Sequence, residues 1–170
     1  MNIQFATDEY NQALRAGQKE FRELSAAGQP THPAVLDELL PENGAHTVVD
    51  VGLIEIPSER IIGTKSAGRI AAFTPSFHPL LDPKSEFAAK WINLCAAHLG
   101  ETGITDPIAC YEYLGNFYVQ EGNKRVSVLR CFGAPRIPGQ VRRVMPAPSE
   151  DPRIRAYYEF LDFYKVSHLY

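Results

Sequence analysis

The 170-residue sequence has only three cysteines, Cys95, Cys110 and Cys131, and none pairs with another at a short metal-ligand spacing. An odd, scattered set reads as buried reduced thiols, not as a disulfide framework or a cysteine metal site. The histidines, His32, His46, His78, His98 and His168, form no i, i+4 pair, which argues against a histidine metal centre. No apolar run approaches the ~18 residues of a membrane span. The opening MNIQFATDEYNQ lacks the basic-then-apolar pattern of a signal peptide, so a cytoplasmic protein with no membrane partner is expected. The formal charge of -3 excludes a general polyanion binder and confines any anion site to one locality. Internal repeats and low-complexity tracts are also lacking.

Acid is missing from one long stretch. Gly122 to Ser149 contains no Asp or Glu, and Phe117 to Val144 holds six basic residues. The rest of the chain sets the frame for that stretch. With 45% hydrophobic residues the chain can build one domain with a real core and is too short for two large ones. TDEYNQALRAGQKEFRELSAAG predicts a helix capped at Thr7, with Tyr10, Leu14, Gly17, Phe21 and Leu24 on one face and Gly28 as its stop. HPAVLDELLP predicts a short second helix. Residues 1–45 therefore read as a helical extension packed onto a domain spanning 46–170.

HTVVDVGLIEIP is rich in β-branched residues and predicts a strand ending at Pro57. SERIIGTKSAGRIAAFTPSFHPLL reads as a loop. DPKSEFAAKWINLCAAHLG predicts a helix with Asp82 as N-cap, Pro83 at its first position, an apolar stripe at Phe87, Trp91, Leu94, Cys95 and Leu99, and Gly100 as its stop. PIACYEY and FYVQEG predict two strands around a tight turn at Gly115 and Asn116. NKRVSVLRCFG predicts a helix, IPGQVRRVMP a strand, and DPRIRAYYEFLDFYKVS a last helix with Tyr157, Phe160, Leu161 and Tyr164 on one face. An aromatic helix of that kind docks on the core, or forms a surface for a protein partner or a homodimer. Because the chain stops just after it, the sequence also reads as a cut from a longer protein.

Where FYVQEG gives way to NKRVSVLRC, a strand meets a helix, and the first backbone N–H groups of that helix have no intrahelical partner. Gly122 lets the backbone approach a ligand, while Lys124 and Arg125 supply a point charge and a bidentate donor. Cations in a first turn oppose the helix dipole by ~0.3–1 kcal/mol. An anion such as a nucleotide phosphate would explain them; a plain turn with solvated side chains is the alternative.

The residues from IPSERIIG through GRIAAF, Glu86 on its amphipathic helix and the block GITDPIACYEYLGNFYVQEGNKRVSVLRCFGAPRIPGQV resemble the ParB/sulfiredoxin-like family over about residues 50 to 144. The resemblance implies an α/β (α+β) fold, a small mixed sheet flanked by helices, to which the N-terminal helical extension and the C-terminal aromatic helix are added. It also implies a nucleotide site. Gly122, Asn123, Lys124 and Arg125 match the family's phosphate box, and Arg69 with Phe73 matches its upstream box. Gly63, Thr64, Ser66, Gly68 and Arg69 would then wrap the phosphates from the other side. The implied ligand is a nucleoside triphosphate, CTP or ATP, with Mg²⁺, and Glu121 stands where it could help hold the metal. The protein would be a nucleotide switch or a weak NTPase.

Sulfiredoxins carry a catalytic cysteine directly after the box glycine. Asn123 stands there instead, so sulfinic-acid reduction is not expected. Two alternatives remain open. One is a DNA-binding regulatory module in which Arg130, Arg136, Arg142 and Arg143 contact backbone phosphates, although nothing after Val144 resembles the helix-turn-helix of chromosome-partitioning ParB proteins. The other is a small-molecule kinase resembling the free serine kinases of the same fold, with Glu59 as catalytic base.

Overall fold

The computed structural model describes residues 2–41 and 46–167. The expected boundary at residue 45 and His168 lie outside these residues. The fold is α/β, a six-stranded mixed sheet flanked by helices.

The first helix, α1 (Asn2–Ala26), begins five residues before Thr7. Thr7 lies inside it and donates its hydroxyl back to the Ile3 carbonyl at 2.7 Å, the in-helix alternative open to a hydroxyl side chain that does not cap. Ala6, Tyr10, Ala13 and Leu14 are buried, and Gly17 carries the same face onto the carbonyl of Pro79. Phe21, expected on this face, is 36% exposed. Gly28 follows the helix with φ 67°, a conformation for which glycine carries no Cβ penalty.

The second expected helix is mostly replaced by a two-residue strand, β1 (Ala34–Val35), and a single turn, α2 (Leu36–Leu39). Strand β2 (His46–Pro57) is as the β-branched run implies. The stretch read as a loop instead contains a strand, β3 (Ile61–Thr64), and a 3₁₀ segment, Ala67–Ala72. Helix α3 (Glu86–His98) starts later than Asp82-Pro83 suggests. Asp82 is spent on a turn, accepting from the Lys84 N–H at 2.7 Å, and Ser85 is the true cap, accepting from Ala88 N–H at 3.1 Å. The hairpin β4 (Ile108–Tyr113) and β5 (Asn116–Glu121), helix α4 (Asn123–Cys131), strand β6 (Arg136–Pro146) and helix α5 (Pro152–Ser167) follow as the sequence implies.

The strand order is β1-β3-β5-β4-β6-β2, with three parallel and two antiparallel pairings. One sheet face presents Ile61, Phe117, Val119, Ile108 and Val141 to Val126 and Leu129 of α4 and to Phe73 and Phe77. A second core joins α1 to α3 through Tyr10, Leu14, Ala88, Trp91 and Cys95. The Tyr10 and Trp91 rings meet edge-on at 5.2 Å. The other sheet face is covered in part by Leu36 over Tyr118 and Val144.

Because β3 and β5 run parallel and Lys65 N–H donates to Val119 O at 2.8 Å, the chain leaves both strands at the same end of the sheet. The 3₁₀ segment after β3 and helix α4 after β5 therefore start side by side. Strand carboxyl ends of this kind are where open α/β sheets collect ligands.

Candidate functional site

Strand β5 ends at Glu121, and Gly122 turns the chain into α4 with φ 107°. A side chain is unfavourable there twice over: the backbone is left-handed, and a Cβ would lie 2.7 Å from Cγ2 of Ile108. The Val126 N–H bonds to Gly122 O at 3.0 Å, so the amides of Asn123, Lys124 and Arg125 precede the first intrahelical bond. Among the described residues no side-chain cap is made to them. They carry the positive end of the helix.

These amides border a cavity of about 830 Å³. Gly68 and Arg69 of the 3₁₀ segment line it together with Gln120 to Arg125. Phe73 and Leu81 make an apolar wall, and α3 contributes Phe87, Lys90, Asn93 and Leu94. The cavity thus has a cationic end and an apolar flank, the makeup of a site for an anionic organic molecule.

The electrostatics are uneven. Burial holds the Lys124 ammonium below its usual range, and the positive charges of Arg69 and Lys90 lower it further against the pull of Glu86. Its Nζ lies 5.5 Å from the centre of the Phe87 ring. Lys90 pairs with Glu86 at 2.8 Å. Three cations facing one space are favoured by an anion placed among them. Arg125 is committed differently from the sequence expectation: its guanidinium donates to the carbonyls of Pro107 at 2.8 Å and Asp106 at 3.2 Å. It lines the cavity while bracing the segment before β4. Asn123 Oδ1 is buried with no hydrogen-bond partner among the described residues. Glu121 is the carboxylate among the lining residues, and one carboxylate beside phosphate oxygens fits the way proteins hold Mg²⁺.

The structure brings together Gly68, Arg69, Glu121, Gly122, Asn123, Lys124 and Arg125. It leaves Gly63, Thr64 and Ser66 out of the cavity wall. Gly63 packs so closely on β1 that a Cβ would sit 2.2 Å from Ala34 O. Thr64 is 2% exposed and donates to the Ser66 carbonyl at 2.8 Å. These residues set the path to Arg69. Glu59 is exposed on a 3₁₀ turn, Ser58–Arg60, whose Arg60 donates to Gly115 O at 3.0 Å. That is the hairpin end of the six-residue β5, about 20 Å from Gly122 at ~3.3 Å per residue.

The four arginines of the alternative reading do not share one surface. Arg130 turns inward and donates to Ile61 O at 2.8 Å. Arg143 pairs with the buried Glu112 at 3.3 Å and keeps 14% of its side chain exposed. Arg142 is its neighbour on β6, so the two side chains point to opposite faces. Arg136, at the far end of that strand, donates to Glu55 O at 3.4 Å. Burial pushes the thiol of Cys95 up to about 11 and those of Cys110 and Cys131 up to about 12, so none is a thiolate at neutral pH. Among the described residues no group of three or more His, Cys, Asp or Glu could hold a metal ion, and no helix is long and apolar enough to cross a membrane.

Sequence reasoning missed Lys90, Asn93, Leu81 and the site role of Phe87. The signal was faint: Phe87, Lys90 and Leu94 recur at helical spacing along the flank of the buried stripe of α3. Comparison with known protein families finds no matching model, and comparison with curated proteins finds no relative.

Proposed function

We propose that the cavity binds a nucleoside triphosphate, with the phosphates at the N-terminus of α4 between Lys124 and Arg69, and the base against Phe73, Phe87 and Leu81. The observation that carries this reading is the convergence of Arg69, Lys90, Lys124 and three uncapped helix amides on one cavity that also has an apolar flank. A simple inorganic anion would leave that flank unused. Glu121, the carboxylate of the lining, would share a Mg²⁺ with the phosphates in this reading. The arrangement also suits the resemblance to the ParB/sulfiredoxin-like family, in its nucleotide-binding rather than its sulfinic-acid-reducing form. Asn123 offers no thiol, and the protein's own thiols are protonated.

Calorimetric titration with each of the four ribonucleoside triphosphates, with and without Mg²⁺, tests the reading. At least one is expected to bind, with CTP and ATP the leading candidates. Lys124→Ala should weaken that binding by at least tenfold, since a charge-assisted hydrogen bond contributes ~1.5–3 kcal/mol, whereas Arg142→Ala should not change it. Absence of binding by all four, or an unaltered affinity in Lys124→Ala, overturns the reading.

A further inference from the structure

The apolar wall of the cavity belongs to residues 73–81, and this segment is held from behind by the first helix and the loop that follows it. Its two ends are tied at their carbonyl oxygens. His32 Nδ1 lies 2.9 Å from Phe73 O, and the Tyr10 hydroxyl donates to Leu81 O at 2.7 Å. Between these ties, Glu20 of α1 gathers the turn Thr74–His78. Thr74 Oγ1 donates to Glu20 Oε1 at 2.6 Å, the Ser76 N–H donates to Oε2 at 3.2 Å, and His78 Nδ1 lies 2.8 Å from Oε1.

The turn needs such a clamp. Phe77 has φ 65°, a left-handed conformation that costs a side-chain-bearing residue about 1–3 kcal/mol and persists only when its surroundings enforce it. Glu20 keeps 19% of its side chain exposed. Burial pushes its carboxyl up, but the hydrogen bonds from His78, Thr74 and Ser76 outweigh this and hold it below the ordinary range, so it meets the turn as a carboxylate. The Arg130 guanidinium stacks 5.9 Å from the Phe77 ring centre and feels the Glu20 charge, closing the clamp from α4.

We propose that Glu20 is a positioning residue for the cavity: from outside the site it fixes the turn that places Phe73 and Leu81, and so sets how tightly the site holds the organic part of its ligand. The ligand class rests on the nucleotide reading above; the clamp itself rests on the contacts around Glu20. α1 is then a component of the site, although none of its residues lines the cavity.

The test measures amide hydrogen exchange across the chain, thermal midpoint, and ATP and CTP affinity for the unaltered protein, Glu20→Gln and Glu20→Ala. Exchange in residues 73–82 is expected to accelerate at least tenfold in Glu20→Ala and by less in Glu20→Gln, with β4, β5 and α4 keeping their protection. Affinity for whichever nucleotide the unaltered protein binds should fall at least fivefold, in the same order. Glu20→Gln, which keeps the shape and part of the hydrogen bonding, provides the reading if Glu20→Ala does not fold. Unchanged exchange in 73–82, acceleration spread evenly over the chain, or local acceleration without loss of affinity each overturn the proposal. If the unaltered protein binds neither of these, and GTP and UTP also fail to bind, the nucleotide reading fails on its own, and the exchange pattern still decides whether Glu20 holds the wall.

Discussion

At the scale of single residues, Gly122 and Gly68 line the same cavity but are held by different physics. Gly122 has φ 107°, and a Cβ there would press into Ile108, whereas Gly68 has open space around the position of a Cβ and no positive φ. Left-handed backbone costs a residue with a Cβ roughly 1–2 kcal/mol, and displacing a buried isoleucine adds to it. Gly122→Ala is therefore expected to lose ~2 kcal/mol or more in urea unfolding, with Gly68→Ala within ~0.5 kcal/mol of the unaltered protein. Equal effects from the two substitutions would contradict this account. The same local logic made Gly122 to Arg125 legible in the sequence, because a glycine at a strand end followed by two cations is a strained and charged place. What was not legible is that Arg125 satisfies two backbone carbonyls. Its partners, Asp106 and Pro107, come from a segment whose approach depends on the β4–β5 pairing.

At the scale of elements, the long strands and helices could be read from periodicity, while β3 could not. Ile61–Thr64 is four residues long, includes Gly63, and runs into a Lys-Ser-Ala-Gly stretch. Its identity as a strand comes from parallel partners on both sides, β1 and β5, which no local pattern encodes. The two terminal helices are each fastened by a carboxylate, and the two respond oppositely to pH. Glu20, which meets the turn beside α1, is held below its usual range, so its contribution is present above the unfolded value near 4.5 and is lost as pH falls through the lower folded value. Glu112 is fully buried and accepts from Tyr157 of α5. Burial pushes its carboxyl up against the opposing pull of Tyr157 and Arg143. Its contribution is complete below about 4.5 and is lost as pH rises through the higher folded value. Unfolding the unaltered protein and Glu112→Gln in urea at pH 5 and at pH 8 checks the sign. The unaltered protein should gain on the variant at pH 5, by at most ~1.4 kcal/mol per pH unit, and a flat or reversed difference would falsify the raised carboxyl.

At the scale of the whole molecule, the sheet core and the α1–α3 core are separate clusters that share Phe87 and Ile104 at their margins and are also joined by a buried hydrogen-bonded chain. The Trp91 indole N–H donates to Ser127 Oγ at 2.8 Å, and Ser127 donates to the Phe77 carbonyl. Trp91 belongs to the helical core, Phe77 to the sheet core, and Ser127 lies on α4 between them. The same chain therefore links the element carrying the candidate phosphate site to the turn that Glu20 clamps. Trp91 is the single tryptophan of the sequence, so its fluorescence reports the helical core, while far-UV circular dichroism reports helices and sheet together. The two probes should follow one coincident transition in the unaltered protein. Ser127→Ala leaves a buried indole N–H and a carbonyl without their partner, which costs ~1–3 kcal/mol for each unsatisfied group, and it cuts a fully buried side-chain link between the two cores. In that variant the fluorescence midpoint should fall below the circular dichroism midpoint, with α1 and α3 loosening before the sheet. If both midpoints move together by the same amount, the two cores are coupled through their other contacts, the shared Phe87 and Ile104 and the Tyr10–Leu81 hydrogen bond, and the chain through Ser127 contributes stability without cooperativity.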